Sequence, residues 1–146
     1  MGRVSKKFIN QKFQLELEDQ LSFIIQSLTS KTEISSFLNE FLTDEEKIML
    51  GKRLVLYMML YKNFTSSQIH TALSMSHETI RWYKEIFGNK SEVFRNTIER
   101  LIKREKSKEF WQKIDKILEP FALALEAKTN MKARAKLASG DFWKDD

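Results

Sequence analysis

Cysteine is absent from this chain, proline occurs once, and glycine occurs four times in 146 residues. Without a thiol there is no disulfide framework, no thiolate zinc site and no cysteine nucleophile, and the composition suits a reducing cytoplasm. With so few breakers, and with Leu, Ile, Phe, Lys and Glu abundant, the chain favours helix nearly throughout. No apolar run approaches the ~18 residues of a membrane span, and no signal-peptide pattern opens the sequence. Glycine-rich phosphate loops, nucleophile elbows and paired metal-ligand motifs are also missing, so no enzymatic activity, cofactor or metal is expected. The net charge of +5 permits a polyanionic partner without identifying one.

The chain does contain helix starts, and the clearest organise the stretch from Phe64 to Phe87. Thr65 followed by Gln68 is a capping box, in which hydroxyl and amide satisfy each other's backbone donors. Ile69, Ala72 and Leu73 then fall on one helical face. Ser74 and Met75 carry the chain round, and Ser76 is a natural N-cap for a second helix. In that helix Ile80, Tyr83 and Phe87 form an inner stripe, while His77, Glu78, Thr79, Arg81 and Lys84 form a polar outer face. A short helix, a tight turn and a second helix with a small polar start make the helix-turn-helix pattern. Read chemically, Ser76, His77, Glu78, Thr79, Arg81 and Lys84 are the candidate DNA contacts, with Ser67 and His70 near phosphates or flanking bases. His70 and His77 stand on opposite sides of the turn, which argues against a shared metal site.

Ahead of this stretch, residues 1–7 read as a disordered basic tip. From Ile9 to Leu28 the apolar residues Phe13, Leu17, Leu21, Ile24, Ile25 and Leu28 keep helical spacing in a stripe broad enough to need a partner surface. Thr32 is placed to cap a second helix containing Ile34, Phe37, Leu38 and Phe41. Thr43 with Glu46 is a further capping box, and Asp44, Glu45 and Glu46 suit the positive end of the helix dipole rather than a metal or acid–base site. The third helix runs to about Lys62 with apolar residues on more than one side, which predicts a central helix packed on both sides.

The order LNEFLTDEEKIMLGKRLVLYMMLYKNFTSSQIHTALSMSHETIRWYKEIF resembles the tryptophan repressor family. Three features carry the resemblance in sequence order. They are the Leu-Thr with its acidic capping box, a Leu-Gly-x-Arg in the next helix (Leu50, Gly51, Arg53), and a helix-turn-helix ending in Thr79-Ile80. The likeness covers residues 38–87, about a third of the chain, and is weaker in the two preceding helices. It implies an all-α, intertwined helical homodimer that binds double-stranded DNA. There is one departure. In the tryptophan-sensing members the ligand's ring lies between two arginines, one from the Gly-x-Arg motif and one from the second helix of the reader. This chain keeps the first as Arg53 but has Trp82 and Tyr83 where the second arginine and its following glycine belong. The implied remnant of a ligand pocket is therefore Arg53, Trp82 and Tyr83, without tryptophan sensing.

Beyond Phe87, Gly88 and Asn89 signal a helix stop. Ser91 starts a helix with Val93, Phe94, Ile98, Leu101 and Ile102 on one side. The other side carries Arg95, Arg100, Lys103, Arg104, Lys106 and Lys108, either as a solvated face or as a phosphate-tracking one. A further helix holds Phe110, Trp111, Ile114, Ile117 and Leu118, and Pro120 either starts a turn or breaks it. Residues 128–136 are basic and Ala-rich. The end, from Ser139 to Asp146, is either a docking peptide for a protein partner or a tail folded back on the domain.

Three segments are thus expected: N-terminal dimerisation helices (1–42), a helix-turn-helix DNA-binding core (43–87) and a basic C-terminal helical extension (88–146). The expected function is a homodimeric, repressor-like transcriptional regulator, cytoplasmic and nucleoid-associated. The alternative is a helical protein-interaction module that keeps its helix-turn-helix for packing.

Overall fold

The first six helices of this fold each start from a side-chain cap that the local sequence supplies. The computed structural model describes residues 9–104, 106–127 and 131–139, which form eight α-helices and no strand. They are α1 (Gln11–Ser27), α2 (Lys31–Phe41), α3 (Asp44–Tyr61), α4 (Ser66–Leu73), α5 (His77–Gly88), α6 (Glu92–Lys103), α7 (Ser107–Glu126) and α8 (Met131–Ser139). Asn10 caps α1, its side-chain oxygen accepting from the Phe13 N–H at 2.9 Å. At α3 the Thr43 hydroxyl accepts from Glu46 N–H, and the Glu46 carboxylate accepts from Thr43 N–H at 2.9 Å. The second helix departs from expectation, because its cap is Ser30 and not Thr32. Glu33 decides this. Standing three residues after Ser30, its carboxylate accepts from the N–H groups of Thr29 and Ser30 while Ser30 accepts from Glu33.

The chain divides into two units, residues 1–51 and 52–146. In the first unit no residue of α1 or α2 is buried. Phe37 and Phe41 stack on each other at 5.1 Å. A cleft of about 370 Å³ is lined almost wholly by apolar side chains, among them Leu21, Ile25, Ile34, Phe37 and Leu50. Phe23 and Ile25 are each more than 60% exposed. These helices carry apolar faces that one chain does not cover.

The second unit has a true core. Leu56, Tyr57, Met58, Met59 and Leu60 of α3 are all buried, and they join Ile69 and Leu73 of α4, Ile80 and Phe87 of α5, Ile98 of α6, and Trp111, Ile114 and Leu118 of α7. The expectation that α3 is packed on both sides therefore holds only for its second half; Ile48, Leu50 and Leu54 are exposed. Three details of the extension also differ from the sequence reading. Val93 is exposed rather than part of the inner stripe of α6. Arg95 belongs to no solvated face: its Nη2 donates to the Phe87 carbonyl at 2.7 Å, and its guanidinium lies 4.6 Å from the Phe87 ring, so it closes the end of α5. Pro120 neither starts nor breaks a helix, since α7 runs through it. The buried apolar residues of α7, Trp111, Ile114 and Leu118, all precede the Pro; beyond it Phe121 and Leu123 are half-buried and Ala127, the C-cap, is buried. The basic tip, the stretch 128–130 and the tail from Gly140 lie outside the described residues.

The α2 capping box makes a pH-dependent prediction. The backbone N–H groups of Thr29 and then Ser30, with the Thr29 hydroxyl, hold the Glu33 carboxyl below its ordinary 4.5. A depressed carboxylate stabilises the fold above its unfolded value, and that contribution disappears as pH falls through the folded one. Glu33→Gln should therefore differ from wild type in urea midpoint by more at about pH 6 than at about pH 3.5. A gap of equal size at both values would mean that the carboxylate is not held this way.

Candidate nucleic-acid interface

The reader is built by the loop geometry between α4 and α5. Thr65 and Gln68 close their capping box, with the Thr65 N–H donating to the Gln68 side chain at 2.8 Å. At the other end of α4, Ser74 takes the left-handed conformation, φ 51° and ψ 43°, and its N–H donates to the His70 carbonyl. A β-carbon there is disfavoured by roughly 1–2 kcal/mol, so the surroundings must hold it. Met75, the next residue, is half-buried against the core. Ser76 then caps α5, its hydroxyl accepting from the Thr79 N–H at 3.2 Å and sharing a 2.8 Å hydrogen bond with the Thr79 hydroxyl. Ile80 and Phe87 are buried and Tyr83 is half-buried, which fixes which face of α5 points outward.

All of the expected contact residues are exposed: Ser67 and His70 on α4, Ser76 at the cap, and His77, Glu78, Thr79, Arg81 and Lys84 on α5. The start of α5 is small and polar, and its free backbone N–H groups give it a positive end. Glu78 sits in that first turn, where the dipole favours its charge in the free protein.

One pairing corrects the sequence reading. His70 and His77 are not kept apart by the turn; the turn brings their rings face to face, with centroids 4.4 Å apart and planes 18° from parallel. The left-handed Ser74 folds the chain back sharply enough for residues of two helices to meet. The Met75 carbonyl lies 2.6 Å from His70 Nδ1. A carbonyl only accepts, so that nitrogen carries the proton. Among the described residues no three His, Asp or Glu side chains gather as metal ligands.

The pocket remnant divides. Tyr83 packs inward, edge-on to Tyr57 at 5.7 Å, and the Arg53 guanidinium lies 5.9 Å from the Tyr83 ring. Arg53 Nε is buried and has no hydrogen-bond partner among the described residues. Burial, and then the neighbouring Tyr83, push the Tyr57 hydroxyl above its ordinary value of 10, against the opposing pull of Arg53. Trp82 instead is 55% exposed, with its edge against Tyr83. Occlusion of the space beside Arg53 therefore comes from Tyr83, and Trp82 fills nothing. The sequence reading placed the turn at Ser74 and Met75, where it lies; it did not foresee the left-handed backbone of Ser74, because a small polar residue after Leu73 is too common to announce one.

Comparison with known proteins adds one finding. A family model described as Trp repressor protein matches residues 16–102, more than half of the chain. No curated protein and no solved structure matches it. Among the described residues no helix is long and apolar enough to cross a membrane.

The cap geometry of α5 is directly testable. Ser76→Ala removes the bond to the Thr79 N–H and should lower unfolding stability by about 1 kcal/mol in urea titration. A loss below about 0.3 kcal/mol would mean that water serves that N–H equally well.

Proposed function

The chain belongs to the Trp repressor family of helical DNA-binding regulators, and on that premise we propose that it is a homodimeric, sequence-specific transcriptional repressor that needs no tryptophan. The observation that carries this reading is the exposed start of α5. Ser76, His77, Glu78, Thr79 and Arg81 stand outward on a helix whose other face is anchored by Ile80 and Phe87. That arrangement supports insertion of the helix start into a major groove, with base edges read by Thr79 and Arg81 and phosphates met by Ser67, His70 and Lys84. The Leu-Gly-x-Arg helix and the reader fall within the matched residues. Residues 1–42 would serve as the dimerisation segment and 43–87 as the DNA-binding core, in a cytoplasmic protein.

The homodimer is supported by α1, α2 and the first half of α3, whose apolar residues lie open in a single chain. A second subunit is the economical cover, because it brings an identical set of apolar faces to the same place. Independence of tryptophan is supported by Tyr83. Its ring lies where a flat ligand would stack on Arg53, and among the described residues no second guanidinium lies over it.

Selection of bound duplexes from a random pool tests the core of the proposal. It should return a motif with two-fold symmetry, and Arg81→Ala should then cost about 1–3 kcal/mol on that motif and relax one base pair per half-site. Equal losses on selected and random DNA would reduce Arg81 to a phosphate contact. Failure to select any motif would favour the alternative, a helical interaction module whose open apolar faces meet another protein.

Titration with L-tryptophan addresses control. No saturable heat should appear in calorimetry, and affinity for the selected site should be the same with and without the amino acid. A saturable heat accompanied by tighter DNA binding would show that Tyr83 yields to a ligand.

A further inference from the structure

Helix α7 lies wholly beyond residue 102, where the family match ends, yet it packs on α4, the first helix of the helix-turn-helix. Trp111, Ile114 and Leu118 are buried in the same cluster as Ile69 and Leu73 of α4 and Ile80 of α5. The reader needs such a support. Helices of eight and twelve residues are marginal on their own and take their order from what they pack against.

Trp111 sits where the chain turns into α4. Its ring lies against that of Phe64, with centroids 5.7 Å apart and planes 14° from parallel. The Lys62 ammonium stands 3.9 Å from the indole centroid. Between these two residues Asn63 takes a left-handed φ of 62°, and Phe64 is followed at once by Thr65, the N-cap of α4. One indole thus touches both arms of the bend that aims α4. The identity of the residue is informative. Its Nε1 is buried without a hydrogen-bond partner among the described residues, a cost that phenylalanine would avoid. Tryptophan, however, offers the strongest aromatic face to a cation. The site keeps the indole and its lysine and tolerates the orphaned N–H.

We propose that α7 holds α4 and α5 in the DNA-reading orientation, with Trp111 as the positioning residue acting through the Lys62–Phe64 bend. The inference rests on the DNA-binding reading above and names what fixes the reader in place of a ligand.

The test compares wild type with Trp111→Leu and Trp111→Phe, under conditions where circular dichroism shows each fully folded. Affinity is measured for the selected site and for a random duplex of equal length, and amide exchange is followed across α4 and α5. Trp111→Leu should bind the selected site at least tenfold more weakly while its random-duplex affinity stays within about twofold, because phosphate contacts do not require an aimed helix. Amides of α4 and α5 should exchange at least tenfold faster, and Trp111→Phe should recover most of both effects. If Trp111→Leu does not fold, Lys62→Met takes its place, since it removes the cation and leaves the core intact; it should shift the same ratio and the same amides to a smaller extent. Unchanged exchange in α4 and α5, or parallel losses on both duplexes, would overturn the proposal. If wild type selects no DNA site, the DNA reading fails by itself, and the exchange data alone decide whether α7 holds the two helices.

Discussion

Five consecutive residues of one helix, Leu56 to Leu60, are buried. Five residues span more than a full turn, so this part of α3 has no outward side. That single constraint dictates the second unit. A helix enclosed on every side needs neighbours all round it, and the chain supplies four helices in succession, with α4, α5, α6 and α7 each contributing buried side chains to one cluster. The helix-turn-helix is consequently no appendage. Its inner residues, Ile69, Leu73, Ile80 and Phe87, are part of the wall around α3, and the outward set follows by exclusion, because each helix has only one other side to offer.

The same enclosure bears on control. In a ligand-gated reader, two orientations of the helices lie close in free energy and the ligand favours one of them. Here the ring of Tyr83 is seated between Tyr57 and the Arg53 guanidinium, and Tyr57 is further packed by Phe87 and Phe94. Tyr57 is only 7% exposed, so little water reaches this group. Arg95 adds a second fastening by closing the end of α5 on the Phe87 carbonyl and ring. The base of the reader is held by side chains that are always present.

What could be read from the sequence was what depends on near neighbours. Thr43 with Glu46, Thr65 with Gln68, Ser76 and Ser91 were all legible as helix starts, because a cap acts over three residues and needs no tertiary context. Even the one mistake of this kind was local: Thr32 and Ser30 both carry hydroxyls, and the position of Glu33 decides between them. The contacts that were not legible depend on where the chain goes after a turn. The stacking of His70 on His77 requires the left-handed Ser74, which no residue type announces. Arg95 looked like one more cation on a basic face, yet its guanidinium is spent on the carbonyl of a residue eight positions earlier. Exposure of the α1 and α2 stripes was foreseen as a need for a partner surface, because it follows from the breadth of the stripe alone.

A reader fixed by its own core has a thermodynamic consequence. When the competent orientation is only partly populated, observed affinity falls by that fraction, and a ligand restores it. A core that already holds this orientation leaves no fraction for a ligand to recover. Occupancy of DNA by such a protein depends on its concentration, on salt and on its association. The open apolar faces of residues 1–51 make the last of these the variable element. On the proposed homodimer, covering those faces contributes to folding and to assembly at once, so stability rises with protein concentration. Two readers joined in this way also bind as a pair, so the second half-site is engaged from within the complex and DNA affinity gains from dimerisation without any new contact. On that proposal, control would lie in whether two chains meet, while the direction in which each reader points would stay the same.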